Sequence, residues 1–294
     1  MNYQWYPGHM TKARRMMEEN IKLIDLVIEV VDARIPMSSR NPDIDNLAKN
    51  KARLILLNKS DLSDERLNQQ WIDYFAQKGV LCLKLNSRSG AGIKQMNSAI
   101  ERACHEKIER DKKKGIMNRP VRAMVVGIPN VGKSTFINAY AGRSCAKTGN
   151  KPGVTKGKQW IKLSKTVELL DTPGILWPKF DNQEVGKRLA MIGSMNDEIL
   201  NVEELAIDTI KYIYSEYSDN VIERYGLDKE KTAASYDENA INPDNSVALY
   251  IMEQAAVKRG CIKKGNNIDY EKISNIILDD FRSGRLGRIS LETP

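Results

Sequence analysis

Four short apolar runs punctuate the first half of the chain: Leu26–Val31, Arg53–Leu57, Val80–Leu85 and Val121–Val126. Each is rich in Val, Ile or Leu, a pattern that predicts strands buried on both faces, as in a parallel sheet. Asp64–Gln77 and Gly92–Arg110 between them read as helices, so the expected order is βαβα. Two further strand-like pieces follow, Gln159–Leu163 and Thr166–Leu170. Asp111–Pro120, with three consecutive lysines, a glycine and a closing proline, reads as a linker. Beyond Trp177-Pro178 the period changes. Glu184–Met195, Glu203–Tyr225, Ser246–Arg259 and Tyr270–Arg282 carry apolar residues at helical spacing, with no strand candidate. The expected class is therefore α/β: a mostly parallel sheet domain over residues 1–180, then an all-helical domain over 181–294.

Composition narrows the setting. With 294 residues, 41% hydrophobic and 29% charged, the chain is long enough for one or two real cores and is not a disordered segment. A formal charge of +8 points to a polyanionic partner, most simply nucleic acid. The four cysteines are scattered and form no C-x-x-C pair, which fits a reducing compartment and argues against zinc or disulfides. Two histidines cannot build a His-rich metal centre. No apolar run approaches the roughly 20 residues of a membrane span. The N-terminus lacks the pattern of a signal or transit peptide, so a cytoplasmic location is expected.

The chemistry lies in the loops after the strands. Gly127-Ile128-Pro129-Asn130-Val131-Gly132-Lys133-Ser134 fits G-x-x-x-x-G-K-[ST] in full, between the strand Val121–Val126 and a helical stretch, Lys133–Tyr140. Glycines let backbone N–H groups curl around phosphate oxygens, and the helix N-terminus adds its dipole. Lys133 would neutralise the β- and γ-phosphates and Ser134 would ligate magnesium, with Thr135 next to them on the nucleotide. Asp171-Thr172-Pro173-Gly174 closes the strand Thr166–Leu170. Asp171 there can hold magnesium through water and Gly174 can offer its N–H to the γ-phosphate. Between these two motifs, Thr155 of Pro152–Thr155 is the natural second magnesium ligand on a switch segment.

Asn58-Lys59-Ser60-Asp61 follows the strand Arg53–Leu57 and has the form N-K-x-D. A carboxylate at Asp61 can accept from the ring N–H and exocyclic amine of guanine, a donor pair that adenine lacks. Asn86-Ser87-Arg88, after Val80–Leu85, is the expected second base-contacting loop. These loops all follow carboxyl ends of strands, where open α/β sheets bind ligands. Their order is unusual, because the base-reading half precedes the phosphate-binding half. A circularly permuted domain would have this order, and permutation is tolerable where termini lie close together at the surface. Asp171–Gly174 would then run almost directly into the helical domain, so that movement of this switch could reorient it.

In these motifs the sequence resembles the circularly permuted GTPases, most closely their ribosome biogenesis GTPase A branch. The resemblance is carried by Trp5-Tyr6-Pro7-Gly8-His9-Met10, Asp32-Ala33-Arg34-Ile35-Pro36, the nucleotide motifs, Lys151–Thr155 and the tail Asp280–Glu292. It implies GTP and GDP binding with magnesium, and GTP hydrolysis late in assembly of the large ribosomal subunit, with the helical domain on ribosomal RNA. Nothing demands more than a monomer. A non-hydrolysing, GTP-dependent RNA-binding scaffold is the alternative. It is raised by Ile175, which stands where Ras-like proteins carry the glutamine that orients water. His9 is the candidate replacement; the competing reading has Trp5, Tyr6 and His9 pin the N-terminus to the sheet. Asn130 is a candidate potassium ligand, or else an asparagine chosen for loop geometry. Lys147, Lys151, Lys156, Lys158, Lys162 and Lys165 around the switch, and Arg282, Arg285 and Arg288 in the tail, are candidate RNA contacts.

Overall fold

The apolar runs become four adjacent strands of a six-stranded sheet in the computed structural model, which describes residues 15, 17–116, 119–146, 159–163, 166–171 and 182–294. The strands are β1 (Leu26–Asp32), β2 (Ala52–Asn58), β3 (Leu81–Lys84), β4 (Val121–Val126), β5 (Gln159–Lys162) and β6 (Val167–Asp171). Their order is β3-β2-β1-β4-β6-β5, parallel throughout except for the β5–β6 pair. All seven residues of β1 are buried, as its central place requires. β3 departs from the expectation of two covered faces. It lies at the sheet edge, where Cys82 is buried but Lys84 is exposed.

The chain moves outward from β1 to β3, then returns to β4, crosses to the far edge at β5 and comes back beside β4 as β6. Loops after β1 and β4 therefore diverge, leaving a crevice at the carboxyl ends of neighbouring strands. Helix α1 (Asp43–Leu47) follows β1, and helix α2 (Glu65–Gln77) follows β2. Asp64 caps α2 by accepting from the backbone N–H of Arg66, 2.8 Å away. Leu67, Trp71 and Phe75, spaced by four, bury one stripe of α2. Trp71 and Phe75 share a core with Val31, Ile55, Leu57 and Cys82. The expected helix Gly92–Arg110 is interrupted at Cys104, giving α3 (Met96–Ala103) and α4 (His105–Lys113). The second piece runs into the expected linker because Lys107 pairs with Asp111, 3.0 Å away, one turn on. Helix α5 (Lys133–Ala141) follows the loop after β4.

By contact density the chain divides after Gln183, and the last three residues, Glu292–Pro294, group with the sheet unit. In that unit Glu292 is an internal cap. Its carboxylate accepts from the backbone N–H groups of Met37 and Ser38 (2.8 and 3.0 Å) and from the Ser38 hydroxyl.

The other unit is helical, built from α6 (Gln183–Met191), α7 (Val202–Tyr225), α8 (Lys229–Ala233), α9 (Ser246–Arg259) and α10 (Tyr270–Arg282). α7 is kinked at Tyr217, whose φ and ψ of −139° and 47° are not helical. Ile210, Ile213, Ile251, Met252, Ile277 and Phe281 fill the space between helices. One carboxylate organises the end of this core. Asp280, 2% exposed, accepts both guanidinium arms of Arg224 (2.9 and 2.8 Å) and Nε of Arg285 (2.6 Å). Burial alone would raise its pKa, but Arg224 and Arg285 hold it below the usual carboxylate range.

Breaking a buried pair on one side leaves the other charge uncompensated. Asp280→Asn should therefore cost about 3 kcal/mol at neutral pH, measured as earlier loss of helical circular dichroism in urea. A depressed carboxylate pKa stabilises above the unfolded value and loses its contribution as pH falls through the folded one. The gap between variant and wild type should narrow below about pH 4.

Candidate functional site

Asn58 is the last residue of β2, 2% exposed, and it ties three loops together. Its Nδ2 donates to the carbonyl of Val131 at 2.6 Å. Its Oδ1 accepts from the backbone N–H and hydroxyl of Ser87, at 3.0 and 2.8 Å. The amide thus joins residues 58–61, the loop after β3 and the loop after β4. That loop has no room for a side chain at its turns. A Cβ on Gly132 would lie 2.4 Å from Asn58 Nδ2, and one on Gly127 would lie 2.5 Å from the carbonyl of Val30. Gly132, at φ 94°, is also the N-cap of α5. The N-terminus of a helix, with its dipole, suits an anion.

Lys133 is nearly buried, and its Nζ donates to the carbonyls of Gly127 and Ile128 at 3.1 and 3.4 Å. The lysine head is thereby held inside the loop's curve. Ser134 and Thr135 follow on the first turn of α5, both half-buried. Val131 is fully buried, and Asn130 is exposed with φ 62°. The left-handed backbone at Asn130 favours asparagine for conformational reasons that need no ion. Asp171 ends β6 and is paired in register with Val125, two residues before Gly127. That register places its backbone beside the phosphate-type loop. A donor set of loop N–H groups, one lysine and one helical hydroxyl fits a magnesium-bound polyphosphate, since such a cradle supplies no carboxylate cage of its own.

On the base side, Asp61 is solvent-exposed. Asn86 closes its own turn, its Oδ1 accepting from the N–H groups of Arg88 and Ser89 at 2.9 and 3.0 Å. Ser87 is buried and Arg88 exposed. Lys59 has φ 58°, an uncommon backbone for a lysine, and its Nζ lies 2.9 Å from Asp32 Oδ2. Asp32 also binds Arg34 side-on, with Nε to Oδ1 at 2.9 Å and a terminal nitrogen to Oδ2 at 2.8 Å. Burial would raise the pKa of Asp32, yet Arg34 and Lys59 hold it far below the usual carboxylate range. For Lys59 burial wins over the pull of Asp32, so its pKa falls below the usual lysine value.

Asp32 and Arg34 carry no site role in the sequence reading. Their signal was the motif Asp32–Pro36, whose position at the end of β1 acquires meaning only once β1 and β2 are paired. Two of the tail arginines also make ion pairs within the chain. Arg282 binds the carbonyls of Met191 and Ala190 (3.0 and 2.7 Å) and both oxygens of Asp197. Arg285 is bound to Asp279 and Asp280. Arg282 is 20% and Arg285 46% exposed in these pairs. His9, Thr155 and Gly174 lie outside the described residues, as do Lys147, Lys151, Lys156, Lys158 and Lys165. Lys162 is exposed on β5, and His105 is exposed on α4.

The family described as 50S ribosome-binding GTPase matches residues 122–236. Over its whole length the chain is similar to ribosome biogenesis GTPase A from Bacillus cereus, at 47% identity covering 100% of this chain and 95% of that protein. Among solved structures, GDP-bound YlqF gives a TM-score of 0.65 at 25% identity, covering 95% of this chain and 99% of that one. GNP-bound YlqF from T. maritima gives 0.62 at 26% identity, covering 96% and 98%.

Removing the shared amide should uncouple the loops. Asn58→Ala leaves the Val131 carbonyl and the Ser87 N–H without their partner, a loss of about 2 kcal/mol. GDP affinity, read by titration of a fluorescent GDP, should fall roughly 30-fold. Ser87→Ala, which keeps the backbone bond, should cost only about threefold.

Proposed function

Because this chain belongs to the ribosome biogenesis GTPase A family, we propose that it binds and hydrolyses GTP in late assembly of the large ribosomal subunit, contacting ribosomal RNA. The observation that carries this reading is the 47% identity over the full chain to a protein of that name. The site chemistry supports it. Lys133 neutralises the β- and γ-phosphates, while the loop N–H groups and the N-terminus of α5 hold their oxygens. Ser134 and Thr155 would hold magnesium together with Asp171, and Gly174 would offer its N–H to the γ-phosphate. When bound, magnesium would neutralise charge that develops on the phosphate oxygens. Asp61 reads guanine through paired acceptors, with Lys59, Asn86, Ser87 and Arg88 around the base.

His9 orients the attacking water in place of the glutamine that Ile175 supplants. Turnover of the isolated protein is slow and is stimulated by the large subunit. Asn130 is the residue that would hold potassium, on a left-handed backbone that itself favours asparagine. The work takes place in the cytoplasm, with the protein acting as a monomer. No helix among the described residues is long and apolar enough to cross a membrane. The cations offered to RNA are the lysines around residues 147–165 and the tail arginines Arg282, Arg285 and Arg288. Contacts of this kind weaken steeply with salt.

GTP turnover and co-sedimentation with purified large subunits, small subunits and naked RNA test the reading. Stimulation by large subunits alone is expected, reduced at least 100-fold in His9→Ala. Binding without stimulation would remove the catalytic part, and absence of ribosome binding would remove the assembly role. Replacing potassium by sodium should slow turnover if Asn130 binds the ion, and an unchanged rate would exclude that site.

A further inference from the structure

We propose that Asp32 is a positioning residue for guanine binding, which fixes Lys59 as one wall of the base pocket. The inference rests on the reading of residues 58–61 as the base reader, and it assigns a role to the motif that ends β1.

The geometry begins with strand register. Asp32 and Asn58 are cross-strand partners at the carboxyl ends of β1 and β2, and the N–H of Ala33 donates to the Asn58 carbonyl at 2.9 Å. Lys59 is therefore the first residue to leave the sheet beside Asp32. It leaves in a left-handed conformation. For a non-glycine residue that backbone costs about 1 kcal/mol and persists only where the surroundings enforce it. Backbone bonds on either side hold that turn, with Ser60 N–H donating to the Leu85 carbonyl at 3.1 Å and Leu62 N–H to the Lys59 carbonyl at 2.9 Å. At the far end of the side chain, Nζ meets Asp32 Oδ2.

Asp32 is itself fully fixed. Its side chain is 0% exposed, Arg34 occupies both oxygens, and its backbone N–H donates to Ser39 Oγ at 3.0 Å. The planar guanidinium takes the carboxylate side-on and leaves a lone pair on Oδ2 for a compact ammonium. The lysine stem is then immobilised between a fixed backbone and a fixed head. It is 26% exposed, so part of its methylene surface remains open to a ligand, two residues from Asp61. A flat purine ring can lie on such a surface without paying to order a long side chain. If the cluster served only the fold, the Asp32–Arg34 pair would suffice and the strained lysine would have no reason to join it.

The test uses the full chain with GDP, inosine diphosphate and ADP as probes, and thermal melting to monitor folding. Asp32→Asn and Lys59→Met should each weaken GDP about 10- to 100-fold. Inosine diphosphate should weaken equally, because the exocyclic amine belongs to Asp61. In GTP turnover, Asp32→Asn should raise KM and leave kcat within about twofold. Arg34→Met removes the group that fixes Asp32 but keeps the Lys59–Asp32 ion pair, so its loss of GDP affinity should be smaller than that of Asp32→Asn. Should Asp32→Asn alone fail to fold, Lys59→Met is compared with the double variant. Equal affinities support the proposal, and a further loss beyond about fivefold overturns it. Asp32→Asn with wild-type affinity, or Arg34→Met as weak as Asp32→Asn, also overturns it. Asp61→Asn separates the two levels. If it leaves the preference for GDP over ADP intact, the base-reader assignment fails; if it abolishes that preference while Asp32→Asn changes nothing, only the role of Asp32 fails.

Discussion

The side-chain amide of Asn58 is the constraint on which the nucleotide site depends. It is the point where three loops from three strands meet, and it spends its acceptor on Ser87 and a donor on Val131. It is the side chain that joins the loop after β4 to those after β2 and β3. The same amide explains why Gly132 bears no side chain, since a Cβ there would press into Nδ2. One short polar group thus sets both the spacing of the base and phosphate subsites and the backbone of the loop between them.

That bridge also makes sense of the motif order. The base-reading strands β1–β3 come first in the chain and the phosphate-binding strands later, yet β1 and β4 are neighbours in the sheet. Permuting a sequence changes which ends are joined, not which strands lie side by side. The interactions that matter span large sequence separations: Asn58 to Val131, Gly127 against Val30, Glu292 to Ser38. The last three residues belong to the sheet unit, where Glu292 caps the loop after β1.

Much of this was legible in the sequence because it is local. Strands β1, β2 and β4 announce themselves as apolar runs, and the phosphate-type loop carries its own strand and helix on either side. What escaped is long-range or depends on partners. β3 has the same apolar composition as β2, and only pairing reveals that it is an edge. The break at Cys104 leaves helical periodicity intact on both sides. Arg282 and Arg285 look like a basic patch until Asp197 and Asp280 are found beside them, the first more than 80 residues away in sequence. Asp32 reads as one more strand-end acid, and its hold on Lys59 follows from register alone.

Hydrogen exchange on the full chain, with and without GDP, tests most directly whether the base and phosphate loops form one site through Asn58. GDP should protect residues 58–61, 86–91 and 127–135 together, and in Asn58→Ala it should no longer protect the first two. Protection of 127–135 alone in the wild type, or unchanged joint protection in the variant, would contradict a site held together at that amide.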